Sequence, residues 1–332
     1  KLSAKSIKTI GQTAGNLYSL STVGSIFGTF VTTFILVPIV GVDIILYSIS
    51  VILIISAIVG ISKQIKVIAI ILICISMYSA IFVQAPLAGI VFEKDTQYHR
   101  LLVHDDSVTN IRTLILDNNF HSAMDLDDRH RIVYEYTKYF HLGLLFTNDA
   151  QDVLFIGGGG FSAPKKFYAD YPEMNIDVVE IDKDVVSAGE EFFFVPQDER
   201  LEITTDDGRI FLRKTDKKYD IIVLDAYDKT YVPFHLMTRE FHQLVSDHLT
   251  DDGVLISNII TSIDGDSATL FLSELKTMDS IYSNIHIYPV VSEQEKVIQN
   301  IIVVAQNKES RVTKFELLSR QENIEVDLSE EI

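Results

Sequence analysis

The sequence predicts an α/β protein with a doubly wound sheet, preceded by transmembrane helices. Apolar residues are concentrated before residue 92, in three runs each about as long as a bilayer-spanning helix requires. From residue 152, short apolar strands alternate with helical stretches, the pattern of a parallel sheet covered on both faces. The charge divides at the same place. Residues 1–91 carry five lysines against Asp43 alone, whereas the rest of the chain accounts for a formal charge of -22 out of an overall -18.

The first run is Ser25–Val42, the second Ile44–Ile61 and the third Val67–Val91, broken only by Gln84 and Pro86. A cleaved leader has one such run, not three. Gly24-x-x-x-Gly28 permits close helix packing in a membrane. The chain begins at Lys1 rather than Met, so upstream residues are expected and residues 1–91 read as part of a larger bundle. Between residues 92 and 145, Tyr98–His104 and Ile111–Asp117 read as strands, Asp117-Asn118-Asn119 as a turn, and Arg129–Leu145 as an amphipathic helix.

Residues 146–306 give the regular succession. Strands are expected at Asp152–Ile156, Asn175–Ile181, Leu201–Thr204, Tyr219–Leu224 and Gly253–Ile259. Helices are expected from about Ala163, over Asp184–Phe193, from Gly208, over Thr238–Leu249 and over Asp266–Met278. Ile285–Val291 and Asn300–Ala305 read as an antiparallel edge pair. Residues 307–332 read as a polar, loose tail. The single cysteine, Cys74, excludes a disulfide framework and a Cys-rich metal site. The histidines are scattered, and no metal is expected. The acidic soluble part excludes non-specific nucleic-acid binding, which requires a basic footprint.

Strand ends carry the candidate site. Val153–Ile156 runs into Gly157-Gly158-Gly159-Gly160, where glycine permits close backbone approach to a ligand. Glu180 ends the next strand, placed to accept ribose hydroxyls; Asp206-Asp207-Gly208 follows the third, placed to accept an adenine amino group; Asp225 ends the fourth. Each acid alone reads equally well as a helix cap. The G-x-G-x-x-G fingerprint is broken by Ser162, which favours an adenosyl-sulfonium ligand over NAD. Asp225-Ala-Tyr-Asp228 sets two carboxylates three residues apart. They read either as a turn with two solvated acids or as a diamine reader, one acid holding and deprotonating the attacking amine and the other holding a distant one.

Phe92-Glu93, Gln97-Tyr98-His99, Ile115-Leu116-Asp117, Tyr134, the glycine strand, Val179-Glu180-Ile181-Asp182, Asp207-Gly208 and Asp225-x-x-Asp228 occur in the order of the spermidine/spermine synthase family. The chain resembles that family over residues 92–306. The apolar runs and Pro233-Phe234-His235-Leu236 resemble its membrane-fused branch. The resemblance implies an S-adenosylmethionine (AdoMet)-methyltransferase-like domain behind a small N-terminal β domain, and transfer of an aminopropyl group from decarboxylated AdoMet to putrescine with no prosthetic group. By position it implies that Gly157, Gly158, Gly159, His99, Glu180 and Asp207 hold the cosubstrate, that Asp225 is the base, and that Tyr134 and Asp228 line the amine site.

Three departures stand out. Gly160 occupies the place of an Asp that contacts the aminopropyl ammonium, Glu135-Tyr136 replaces Gln/His-Glu, and Asp225-Ala-Tyr-Asp lacks the family's hydroxyl residues and following Pro. Intact AdoMet, with methyl transfer, is therefore the alternative, as is a non-catalytic nucleoside- or polyamine-sensing domain of a membrane transporter. The expected partners are a small amine, the lipid bilayer through residues 1–91, and a second copy of the chain in a homo-oligomer. The lysines before the first run and between the second and third put residues 92–332 outside the cell after three crossings. The cytosolic cosubstrate puts them inside, and the expected location is the cell membrane, multi-pass, with a cytoplasmic catalytic domain.

Overall fold

The computed structural model describes residues 10–60, 88–226, 233–291, 297–308, 312–321 and 324–329. They fall into two compact units, Lys1–Ala88 with Glu93–Arg100, and Gly89–Phe92 with Leu101–Ile332.

In the first unit, helix α1 (Ile10–Val31) runs through a π-helical turn, Thr32–Leu36, into α2 (Val37–Gly60), which is broken at Gly41 with φ 77°. Their apolar side chains, among them Phe27, Phe30, Ile39 and Leu53, are exposed. Hydroxyls inside them fold back onto their own helix, as Thr22 to the Tyr18 carbonyl and Ser50 to the Leu46 carbonyl, the way polar side chains are satisfied where water is absent. Segments Gly11–Leu36 and Ile39–Ser56 are long and apolar enough to cross a membrane. Of the third apolar run, residues 67–87 lie outside the described residues, and its last two residues, Ile90 and Val91, begin a β-strand instead.

Four antiparallel strands follow in the order β1 (Ile90–Asp95), β2 (Arg100–Asp106), β3 (Ile111–Leu116), β4 (Asn119–Asp125). Asp117 and Asn118 both have positive φ, 49° and 69°, the two-residue turn that matches strand twist. That turn returns the chain as β4, a strand the sequence pattern did not disclose because Asn119-Phe-His-Ser-Ala-Met has no alternation. The helix expected over Arg129–Leu145 is shorter and split, into a 3-10 segment Glu135–His141 and α3 (Leu142–Phe146). Its entry is spent on turns instead. Asp125 accepts the backbone N–H groups of Asp127 and Asp128, and Thr137 Oγ1 bonds the Tyr134 carbonyl at 2.7 Å.

Next come β5 (Asp152–Ile156), α4 (Ser162–Asp170), β6 (Asn175–Glu180), α5 (Lys183–Phe192), β7 (Leu201–Thr205), α6 (Gly208–Lys214), β8 (Tyr219–Leu224), α7 (Arg239–Asp247), β9 (Leu249–Thr261), α8 (Thr269–Asp279), β10 (Asn284–Pro289), β11 (Gln299–Gln306) and α9 (Lys314–Gln321). Strand order is β10-β11-β9-β8-β5-β6-β7. Strands β5 to β9 pair in parallel, and β11 pairs antiparallel with both β9 and β10. The chain winds outward from β5 to β7, then restarts on the other side of β5 at β8. That reversal opens a crevice at the carboxyl ends of β5 and β8.

Both faces of the sheet are buried, as its near-continuous apolar strands require. Phe155, Ile221 and Val223 face Phe140 and Phe167, while Leu154, Ile222 and Leu224 face Phe241, Val245 and Phe271. The four-stranded sheet lays Leu101, Val103, Leu114 and Met124 against Val185 and Ala188 of α5 and Phe193 just after it. Arg112 fixes this contact: its guanidinium forks onto Asp105 at 2.7 Å and donates to the Phe192 carbonyl at 2.7 Å. Of the Phe192-Phe193-Phe194 run, Phe193 alone is fully buried, and it seats the small sheet as well as the helix.

The carboxyl-terminal segment departs from the expected loose tail. Leu317, Val326 and Leu328 are buried in the main core, Arg320 donates to the Leu145 carbonyl at 2.7 Å, and Gln321 accepts from the Leu328 N–H. Three apolar residues in a polar stretch suffice to dock it. Leu328→Ala should therefore cost about 2–4 kcal/mol of unfolding free energy in thermal or denaturant melts; an unchanged melt would mean the segment is not packed.

Candidate functional site

The crevice is built on backbone first. The Ile156 carbonyl accepts from the Asp225 N–H at 2.9 Å, and the Gly157 N–H donates to the Val179 carbonyl at 2.9 Å, so three strand ends are locked together. Gly157 sits at φ 104°, and a Cβ there would lie 2.2 Å from the Asp225 carbonyl oxygen. Only glycine lets the two chains come so close.

The rest of the turn leans on β4. The Gly160 N–H donates to Ser122 Oγ at 2.8 Å, and Ser162 Oγ donates to the Ala123 carbonyl at 2.9 Å. A side chain at Gly160 has no room, since its Cβ would meet Ser122 Cβ at 2.7 Å and the Phe193 ring at 3.2 Å. Phe161 takes φ 56° and is fully buried, and Lys165, one turn on, is 2 % exposed. Lys165 Nζ donates to the Phe193 carbonyl at 2.6 Å, tying the helix after the glycine turn to the segment after α5; burial lowers its pKa to about 8.

Glu180, at the end of β6, is buried and accepts backbone N–H groups from Gly158 (2.8 Å) and Gly159 (3.3 Å) on Oε2 and from Asp182 (3.0 Å) on Oε1. Burial raises its pKa, against the pull of those donors. A carboxylate has about four acceptor sites, so it retains capacity for hydroxyls. Asp207 caps α6 through Oδ1 on the Ile210 N–H at 2.9 Å, and its Oδ2 meets His235 Nε2 at 2.7 Å. Both of its oxygens thus have partners in the chain. Asp206 is tied to Lys214 at 2.6 Å.

Asp225 ends β8 at the switch point. Its Oδ1 accepts from Asn258 Nδ2 at 2.8 Å, and Asn258 Oδ1 in turn accepts from Asn300 Nδ2 at 3.0 Å. Its Oδ2 lies 3.5 Å from the Tyr136 hydroxyl. Burial pushes the carboxyl up to about 6, with the two donors pulling it down. The carboxyl faces a small cavity lined by Ser122, Tyr136, Gly157, Gly158 and Phe155. Asp225 therefore carries a carboxyl that changes protonation a little below neutrality, beside the glycine turn.

The expected site residues are thus only partly assembled. Gly157, Gly158, Gly159, Glu180 and Asp225 come together, with Asp207 one strand further along the same rim. Tyr134 stacks on Tyr136 at 6.3 Å between ring centroids, and burial raises its pKa; its neighbour, not Tyr134 itself, reaches Asp225. His99 lies in the β1–β2 turn, in the first compact unit, its N–H bonded to Thr96 Oγ1 at 2.9 Å. Asp228 lies outside the described residues. Among the described residues, no three His, Cys, Asp or Glu side chains gather as metal ligands. Sequence reasoning missed Ser122, Asn258 and Asn300. Asn258 left a signal, an amide inside the apolar run Val254–Ile260.

A family model described as the spermine/spermidine synthase domain matches residues 134–308. The polyamine aminopropyltransferase of Vibrio vulnificus is 31% identical over 193 residues, covering 57% of this chain and 63% of that protein. The probable polyamine aminopropyl transferase of Bifidobacterium longum is 35% identical over 138 residues, 41% of this chain and 30% of that one. The chain thus spans less than two thirds of the length of these curated relatives. A probable spermidine synthase from Corynebacterium glutamicum superposes with TM-score 0.59 at 20% identity, covering 73% of this chain and 89% of its own. Human methyltransferase-like protein 13, in complex with SAH, superposes at 0.50 and 24%, over 56% of this chain and 89% of its own. These neighbours bear out the expected AdoMet-methyltransferase-like fold with its small N-terminal β domain.

The raised Asp225 pKa has a sign that can be measured. The carboxyl titrates near 6 when folded and near the ordinary aspartate value of about 3.9 when unfolded, so stability is lost as pH rises between them. Asp225→Asn should stabilise the chain by about 1–3 kcal/mol above pH ~7 and by nothing below pH ~4; a pH-independent difference would contradict this environment.

Proposed function

The chain belongs to the spermine/spermidine synthase domain family, and from that premise we propose that it is a membrane-tethered transferase that moves an aminopropyl group from decarboxylated AdoMet to an amine. One observation carries the proposal: a half-buried carboxylate, Asp225, held by Asn258 at the switch point and facing the glycine turn that Glu180 braces. The reaction needs no metal or covalent nucleophile, because the sulfonium leaves as a neutral thioether. What it needs is an amine lone pair held in line with the carbon. Asp225 takes the proton of the acceptor ammonium, the lone pair forms the new C–N bond, and the C–S bond breaks onto sulfur. Glu180 takes the ribose, Asp207 the adenine edge, and Gly157, Gly158 and Gly159 the backbone side of the nucleoside. Tyr134 and Asp228 line the amine site.

The two apolar helices anchor the enzyme in the cell membrane as part of a multi-pass unit, with the catalytic domain on the cytoplasmic side where the cosubstrate is made, and the working form is a homo-oligomer. A second reading, methyl transfer from intact AdoMet, is favoured by Gly160 alone: with no acid at that place, the cosubstrate's carboxylate meets no repulsion there. The fold does not choose between them, because a methyltransferase-like protein shares it.

Incubating the purified chain with a panel of amines and either decarboxylated or intact AdoMet separates the two. Methylthioadenosine is expected from the first, and adenosylhomocysteine from the second would replace the proposal. Asp225→Asn should lower kcat by about 10²–10⁴-fold; turnover that survives it rules out Asp225 as base, and no turnover with any amine leaves a binding domain.

A further inference from the structure

Tyr136 is the described side chain that faces Asp225 Oδ2. Its hydroxyl stands between two acceptors, the His121 backbone carbonyl at 3.3 Å and Asp225 Oδ2 at 3.5 Å. An O–H has one proton, so it donates to one of them at a time. Both distances exceed the ~2.7–2.8 Å of a committed O–H···O bond, so the hydroxyl is settled on neither. The ring, by contrast, is fixed. It stacks on Tyr134 and meets Phe140 edge-on, with centroids 5.7 Å apart, so only the C–O rotor is left to move. Asp225 Oδ1 is already engaged by Asn258, whose amide orientation Asn300 sets, which leaves Oδ2 as the oxygen that takes up a proton.

The geometry points to Tyr136 as a positioning residue whose hydroxyl swings from Asp225 to the His121 carbonyl when Asp225 receives the proton of an acceptor ammonium. This rests on the transferase reading above. Before transfer, the phenol donates to ionised Asp225 and holds Oδ2 toward the cavity. As R–NH3+ gives its proton to Oδ2, the carboxyl becomes neutral and gains a donor of its own. The phenol O–H turns to the carbonyl, and its lone pair accepts from the new carboxyl O–H. After the C–N bond forms and the thioether departs, Asp225 releases that proton to solvent and the phenol swings back. Burial holds the Tyr136 phenol well above its usual range, so it stays neutral and relays no charge. Among the described residues, Tyr136 is the one titratable group that reaches Asp225; β9 contributes the neutral Asn258, and the β5 turn contributes backbone.

Tyr136→Phe keeps the ring and removes the rotor. Asp225 then loses a donor to its ionised form, so its titration midpoint should rise by about half to one pH unit. This is read directly by carbon-13 NMR of aspartate-labelled protein, with the Asp225 signal identified by its loss in Asp225→Asn. The acid limb of the kcat/KM profile should move up by the same amount. An unchanged midpoint, or an unmoved limb, overturns the proposal. The NMR titration reads out even in protein with no turnover, so failure of this inference and failure of the transferase reading are told apart.

Discussion

The molecule is organised around one close approach, that of the backbone at Gly157 to the carbonyl of Asp225. These two strand ends are paired neighbours, a Cβ at Gly157 would strike the Asp225 carbonyl, and the sheet reverses its winding between them. The candidate site hangs from that point. The glycine turn rises from one strand end, Asp225 from the other, and Glu180 closes the third side with Oε2 on the N–H groups of Gly158 and Gly159. The small antiparallel sheet matters because it holds the turn from above, through Ser122 and Ala123.

This arrangement has a thermodynamic cost. A carboxylate placed where solvent is scarce prefers to be neutral, and the fold sets two amides in series behind Asp225 rather than a cation in front of it. A neutral donor stabilises the anion without quenching its basicity, as an ion pair would. Among the described residues, no arginine or lysine figures among the groups that shift it.

Much of this was legible in the sequence. The strand–helix succession, the strand-end glycines and acids and the antiparallel closing pair are all periodic or punctuated signals, and the structure places them where the pattern does. What was not legible has physical reasons. β4 has no alternation because its residues serve contacts of different kinds, Ser122 to a turn and Met124 to a core. The 3-10 segment looked helical because its apolar spacing suits either helix, and the choice was made by Thr137 closing onto Tyr134. The docked carboxyl-terminal segment was hidden by its polar composition, although three apolar residues decide its place. In the site, single strand-end residues were readable, but partners contributed from distant strands, such as Asn258 and Asn300, depend on register, which no local pattern encodes.

The tight seat of Gly160 also bears on how such a site can change over generations. Position 160 is filled from the other side by Ser122 and Phe193, so an acid arriving there alone meets a wall rather than a ligand. A side chain introduced at position 160 has to displace Ser122 and the Phe193 ring, positions 38 and 33 residues away in the chain. The three positions are therefore coupled in packing, and the cost of a replacement at one depends on what stands at the other two.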